Sequence, residues 1–383
     1  MEIFNIADHL ISPLGCSAGQ NFAMLKKSRT GISKITDDSL CPQTFYGAGY
    51  ETHTVEQQVV FEGCEKYTFL ERLFIYSIDA VLKAVGDIDK QRTVLVLSTT
   101  KGNIGLLNER KAKKYEGNRI ELPVMARVVN DYFEMPHRPV VVSNACISGV
   151  SAILTAQKLI RLGLYDHAIV TGGDLLTEFV LTGFQSFMAI SDAPCRPYDV
   201  ARKGITLGEA CATMFLTNNP GLVAKTEAFA RVAGGGQAND ANHISGPSRT
   251  GRGLRMAVSK ALEGAKLQPG DIDYISGHGT ATLYNDEMEA VAFNHLNMQD
   301  TPLNSLKGYF GHTLGAAGIV ESIITIRQLN EGVLLGSHGY AEHGVTQPLN
   351  VLAENQESPN LRYGLKTISG FGGCNGAVIF EKA

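Results

Sequence analysis

The run Val140-Val141-Val142-Ser143-Asn144-Ala145-Cys146-Ile147-Ser148-Gly149-Val150 constrains the fold more than any other stretch. Three β-branched residues give way to small and polar ones, and 151–160 then carries a helical pattern. That order reads strand, tight turn, helix, with Cys146 at or just before the helix start. A second small-residue turn leads into a helix much later in the chain. Gly149 and Gly318, Val150 and Ile319, Lys158 and Arg327, and Gly163 and Gly332 coincide at one offset. A two-fold duplicated fold would set these two turns face to face. Two glycine-containing amphipathic helices also match in this way by chance.

The rest of the chain alternates in the same manner. Helical spacing marks 70–85, 254–265, 286–296 and 314–329. Short β-rich runs mark 93–97, 139–143, 168–171, 212–216, 273–276, 363–369 and 377–381. Strands alternating with helices predict a layered α/β architecture. The 383 residues exceed one ordinary core, so two units are expected, 1–220 and 221–383. The turn-rich Thr217-Asn218-Asn219-Pro220-Gly221 marks the boundary.

Charge and cysteine usage narrow the function. The net charge is −4 with no long basic or acidic block, which argues against nucleic acid and membrane surfaces as partners. No apolar run is long enough to span a bilayer. Met1-Glu2-Ile3-Phe4-Asn5 lacks the basic-then-apolar pattern of a signal peptide, so a cytoplasmic location is expected. The seven cysteines, Cys16, Cys41, Cys64, Cys146, Cys195, Cys211 and Cys374, are odd in number and form no CxxC pair. They fit a reducing compartment and argue against a disulfide framework or a zinc site.

At a helix start, unpaired amide N–H groups and the positive end of the helix dipole favour thiolate over thiol. A nucleophilic cysteine needs that at neutral pH. A lone cysteine of this kind is more often a small buried residue at a strand–helix junction. Two histidines shift the balance. His278 follows the apolar Tyr274-Ile275-Ser276, which puts it at a strand end. Gly277 and Gly279 flank it and would let a substrate approach the imidazole. His312 lies in Lys307-Gly308-Tyr309-Phe310-Gly311-His312-Thr313-Leu314-Gly315-Ala316-Ala317-Gly318, again after a glycine and before a helix start. A helix-start cysteine with two loop histidines points to nucleophilic chemistry.

Four motifs now combine: Asn144-Ala145-Cys146-Ile147-Ser148-Gly149, His278-Gly279-Thr280-Ala281-Thr282, the Lys307 to Gly318 run, and Gly370-Phe371-Gly372-Gly373-Cys374-Asn375-Gly376. In this order they resemble the β-ketoacyl-[acyl carrier protein] synthases, most of all the elongating synthase II type. The similarity runs from Ser12-Pro13-Leu14-Gly15 to the last strand. Asp240-Ala241-Asn242-His243-Ile244-Ser245 resembles the mobile active-site loop of that family.

The resemblance implies a thiolase-like fold, two similar α/β halves in five α-β-α-β-α layers. It implies an acyltransferase of fatty acid biosynthesis, a dimer working on acyl and malonyl forms of acyl carrier protein. Cys146 would take the acyl group, and the backbone N–H groups of Cys146 and Phe371 would form the oxyanion hole. His278 and His312 would stabilise the enolate left when CO2 departs. Lys307 would be held by Glu321 and orient the His312 loop, with Asp286 and Phe371 in support. No metal and no permanently bound cofactor is implied, since the substrates ride on phosphopantetheine. Two departures stand out: Cys374 replaces the family's threonine, and the stretch from Gly102 to Cys146 is shorter. The second leaves acyl chain length open, together with a specialised polyene or polyketide role beside a non-catalytic chain-length partner. Among other classes, a cysteine hydrolase is disfavoured by the two histidines with Lys307, and a non-catalytic subunit by the retained Cys146.

Overall fold

Ten strands form one sheet in the computed structural model, which describes residues 1–50, 52–108, 112–115, 117–226, 229–240 and 246–383. The first five are β1 (Phe4–Ile11), β2 (Thr93–Ser98), β3 (Val140–Val142), β4 (His167–Asp174) and β5 (Ala210–Thr217). The second five are β6 (Ala230–Asn239), β7 (Tyr274–Ser276), β8 (Leu303–Asn304), β9 (Tyr363–Gly370) and β10 (Cys374–Lys382). Their order across the sheet is β3-β2-β4-β5-β1-β6-β10-β9-β7-β8. Within the first half, β1–β5 and β5–β4 are antiparallel, and β4–β2 and β2–β3 are parallel. The second half repeats the order and every direction: β6–β10 and β10–β9 antiparallel, β9–β7 and β7–β8 parallel. The halves join where β1 meets β6 antiparallel, with Phe4 opposite Arg231 and Asn5 opposite Ala230. Antiparallel contact between equivalent strands is what a two-fold axis requires.

Helices cover both faces: α1 (Phe69–Val85), α2 (Ser148–Arg161), α3 (Arg252–Ala265), α4 (Leu283–His295) and α5 (Ala317–Glu331). Alternation along each strand decides what each face meets. Val94 and Val96 of β2 join a central core with Val150 and Ile153 of α2 and Ile319 and Ile323 of α5. Leu95 and Leu97 of the same strand join an outer core with Leu73, Phe74 and Ile78 of α1. In the other outer core, Leu365, Ala377 and Ile379 pack with Leu254, Ala257 and Val258 of α3. Both α2 and α5 touch strands of both halves as well as each other. The layers run α1, the first half of the sheet, α2 with α5, the second half of the sheet, α3, which is the five-layered thiolase-like α/β fold expected.

The matched glycines meet at the centre. A Cβ on Gly318 would lie 2.3 Å from the Val150 nitrogen, and one on Gly149 would lie 2.8 Å from the Ile319 nitrogen. Only glycine at both positions lets α2 and α5 start back to back. The helix expected over 314–329 is divided. Leu314 takes the left-handed φ of 51°, Leu314–Ala316 forms a 3₁₀ turn, and α5 begins at Ala317. β1 and the glycine-rich β6 went unread in the sequence. No described helix is long and apolar enough to cross a membrane.

Candidate active site

Cys146 follows β3 by way of a strained turn. Ala145 takes φ 45°, and the Ser148 hydroxyl accepts from the Asn144 N–H at 2.8 Å while donating to the Ala145 carbonyl at 2.6 Å. This turn places Cys146 on the wall of a cavity of about 470 Å³. From the other half of the chain, His278 follows β7 and His312 precedes α5. Their rings lie 5.2 Å apart, nearly perpendicular at 84°. One ligating atom each from Cys146, His278 and His312 lie within 4.8 Å of one another, all buried. The four motifs read in the sequence thus converge on one point.

The His312 ring is held directly, whereas His278 is held through its backbone, its Nδ1 buried without a partner. The Leu314 N–H donates to His312 Nδ1 at 3.1 Å, which leaves the ring proton on Nε2. His312 Nε2 is buried without a partner. The His278 turn hangs on Glu289, whose carboxylate accepts from the His278 and Gly279 N–H groups, each at 2.7 Å. The glycines beside His278 serve a different purpose from the one expected. A Cβ on Gly277 would lie 2.3 Å from the Tyr198 hydroxyl, and one on Gly279 would lie 2.5 Å from Ser305 Cβ. They make room for protein rather than for substrate.

Electrostatics at the sulfur also depart from expectation. Burial pushes the Cys146 thiol up to about 12, and Cys374 adds to the rise. Lys307 and the Phe371 backbone N–H, which is hydrogen-bonded to Cys146, act in the opposite direction. Burial outweighs the helix start, so the resting group is a thiol. Burial, and then Lys307, hold His278 and His312 well below the usual imidazole range, so both rings are neutral.

Lys307 is fully buried and paired with Glu321, as expected. Asp286 accepts from the Thr280 N–H at 2.9 Å and the Tyr198 N–H at 2.7 Å, supporting the segment after His278. Phe371 is half-buried on the cavity wall, its ring 5.7 Å from Phe184 and 5.3 Å from Phe187. Asp240 lies beneath the Phe371 turn. Its N–H donates to the Gly373 carbonyl at 2.7 Å, and its carboxylate accepts from Gly253 N–H and Asn375. His243 and Ser245, assigned to the same loop, lie outside the described residues. Cys374 directs its thiol to the Phe371 carbonyl at 3.2 Å and falls outside the Cys–His–His cluster, so it braces the turn.

Three residues of the site escaped the sequence reading. Glu289 lies one helical turn after Asp286 on α4, a spacing that puts both on one face. Asp174, at the end of β4, accepts from Thr99, Thr100 and the Gly315 N–H, tying the first half to the turn before α5. Lys366 is a fully buried cation inside the apolar β9. A lone charge in an apolar strand was its only signal.

Among the described residues, Cys146, His278 and His312 are the one group placed to ligate a metal. The chemistry of the set argues against it. Lys307 and Lys366 already repel a proton from His278. A divalent cation would meet the same repulsion.

A buried thiol facing two neutral imidazoles, between the halves of a duplicated α/β scaffold, defines a Cys–His–His site of the thiolase-like fold. Residues 6–220 match the N-terminal domain of β-ketoacyl synthase, and residues 229–341 match its C-terminal domain. The chain belongs to the β-ketoacyl synthase family. It is 32% identical over 256 residues to a 3-oxoacyl-[acyl-carrier-protein] synthase homolog of Saccharomyces cerevisiae, covering 63% of this chain and 58% of that protein. It is 33% identical over 247 residues to 3-oxoacyl-[acyl-carrier-protein] synthase 2 of Mycobacterium leprae, covering 62% and 59%. The chain thus spans under two thirds of the length of these relatives. A chain from the structure of a ketosynthase in complex with its chain length factor, from Xenorhabdus doucetiae, superposes with a TM-score of 0.87 at 26% identity. That match covers 100% of this chain and 98% of the other.

Proposed function

We propose that this chain is a 3-oxoacyl-[acyl carrier protein] synthase, which condenses an acyl group held on Cys146 with malonyl-[acyl carrier protein] in fatty acid elongation. One observation carries the reading: a sulfur and two neutral imidazoles converge within 4.8 Å, beside a backbone N–H aimed at the sulfur.

In the first half-reaction the carbonyl oxygen of an acyl thioester sits against the N–H groups of Cys146 and Phe371. The sulfur bonds to the carbonyl carbon, the bond to the pantetheine sulfur breaks, and that leaving thiolate takes the thiol proton. Malonyl thioester then enters. His278 and His312 donate to its thioester oxygen, the bond to the carboxylate carbon breaks, and CO2 departs. The electron pair stays as an enolate held by these two donors. Neutral rings suit this task, because each can give a hydrogen bond without giving up a proton. The enolate carbon attacks the acyl carbon, the C–S bond to Cys146 breaks, and the thiolate regains a proton from solvent. The 3-oxoacyl product leaves on the carrier.

In this reading Lys307, Glu321, Asp286 and Asp240 hold the turns that present the reacting groups. The enzyme keeps no cofactor or metal of its own and receives phosphopantetheine with its substrate. It works as a cytoplasmic homodimer. A second reading, the catalytic member of a specialised polyene or polyketide pair, is favoured by full-length likeness to a chain from a ketosynthase and chain length factor complex.

Intact-mass spectrometry after incubation with a panel of acyl carrier proteins, alongside CO2 release from malonyl carrier protein, tests the proposal. An acyl adduct on the wild type, absent from Cys146→Ala, with CO2 release is expected. An adduct that persists in Cys146→Ala, or acyl hydrolysis without CO2 release, overturns it. A preference for short saturated chains by the protein alone favours elongation. Activity that appears only with a second related chain favours the specialised reading.

A further inference from the structure

His278 sits on a turn where the sheet runs out. Ser276 is the last residue of β7 in register with β9, and it stands opposite Lys366. Beyond that pair the carbonyls of Ser276 and Gly277 leave the ladder. The Lys366 ammonium donates to both, each at 3.1 Å. It also forms an ion pair with Glu321 Oε2 at 2.5 Å. The ammonium thus has two carbonyls to which it gives hydrogen bonds and one carboxylate oxygen that it meets as an ion pair. The other Glu321 oxygen is paired with Lys307, which opens the His312 turn. One carboxylate between two lysines therefore ties both histidine turns together.

This arrangement is expensive for what surrounds it. Lys366 is fully buried, with Leu365 and Ile368 among its apolar neighbours on the strand. An apolar side chain of similar length would fill the space without desolvating a charge. Such a side chain would leave the two carbonyls before His278 unpaired and the second Glu321 oxygen without its cation.

We propose that Lys366 is a positioning residue: it fixes the direction in which His278 presents its imidazole to the malonyl thioester and, through Glu321, couples that direction to His312. This rests on the condensing function proposed above. Acylation of Cys146 uses the sulfur and the N–H groups of Cys146 and Phe371, which Lys366 does not touch. The two half-reactions should therefore separate.

Full-length Lys366→Met and Lys366→Gln are compared with wild type for the rate of Cys146 acylation and for kcat and KM of CO2 release from malonyl carrier protein. In Lys366→Met, kcat for CO2 release is expected to fall about tenfold or more, with KM and the acylation rate within about twofold of wild type. Lys366→Gln should recover part of the loss, because its amide reaches a carbonyl. Equal loss in both half-reactions, or CO2 release within about twofold of wild type, overturns the proposal. If Lys366→Met fails to fold, the same criteria apply to Lys366→Gln. Wild type that releases no CO2 refutes the condensing function itself, and this role falls with it. Wild type that releases CO2 beside an unaffected variant refutes only the role of Lys366.

Discussion

Cys146 carries its proton at neutral pH because burial outweighs the helix start and the Phe371 N–H. Its reactivity with iodoacetamide should rise about tenfold per pH unit between about pH 7 and 9 without a plateau, followed by peptide mass at this residue. A plateau near neutrality would mean that the helix start dominates. The histidines give the opposite profile. Their values are lowered, so the neutral donor form persists as pH falls through the ordinary imidazole range. Protonation of these two rings should therefore cause no loss of CO2 release through the ordinary imidazole range, and a change between about pH 8 and 7 would belong to Lys366, held down to about 8 by burial, and Asp286, pushed up to about 7 by burial. His278→Ala or His312→Ala should each lose about a hundredfold in CO2 release, the worth of one donor to a developing oxyanion. Cys146, His278 and His312 were legible because glycines and small residues punctuate their neighbourhoods, and Lys307 through the family motif that it opens. Glu289, Asp174 and Lys366 were not, since each acts on a turn from another element, Asp174 and Lys366 from far away in sequence. Glu289 serves His278 from α4, and Asp174 serves Gly315 across the two halves.

The central elements meet through glycine. A Cβ on Gly318 would press on the Val150 nitrogen, which is backbone and cannot rotate away. Gly318→Ala should cost about 1–3 kcal/mol, the usual range for overpacking, and lower Tm by several degrees. Because α2 carries Cys146 at its start, activity should fall with it. Gly183 is the control: it lies within the helix Glu178–Ser186 with nothing near its missing Cβ. Gly183→Ala should be neutral or raise stability by about 0.5–1 kcal/mol through helix propensity. Equal Tm values for the two variants would show that the glycine contact is slack. Packing of this kind also explains which elements the sequence revealed. α1 and α3 expose one face to solvent, so their periodicity is plain. β6 has Gly234, Gly235 and Gly236 where an alternating pattern would be expected. A Cβ on Gly234 would lie 2.2 Å from the Ala261 carbonyl oxygen, and one on Gly236 would lie 2.1 Å from that of Ala257. α3 packs so close that side chains are excluded, and the strand signal disappears with them. The duplication itself left only four matched residue pairs in the sequence. Strand order and direction, repeated without exception, are held by hydrogen bonds that any residue can make.

The two ends of the sheet are equivalent by symmetry but are finished differently. Outside β8 the chain returns as Asn350 to Leu352, with Leu303 N–H donating to the Asn350 carbonyl and Leu352 N–H to the Leu303 carbonyl, each at 2.9 Å. Outside β3 no described segment pairs, and its three valines are only half-buried. An apolar strand with a free edge is a template for another strand. A second copy meeting it across a two-fold axis would pair β3 with β3 antiparallel and continue the sheet from chain to chain. The sequence turns directly from this strand into Asn144, Ala145 and Cys146, so pairing there would also steady the turn that aims the sulfur. Sedimentation velocity should therefore give a species of twice the 41.2 kDa chain mass at micromolar concentration. Ser143→Lys, an exposed residue at the end of the edge, should shift it towards the single chain, as lysine blunts edges elsewhere. The rate of Cys146 acylation per chain should drop along with the dimer fraction, on dilution and in the variant alike. A single chain mass at all concentrations, with acylation unchanged, would leave the edge to some other partner. Mass that doubles only when a related chain is co-expressed would identify that partner as the second half of a heterodimer.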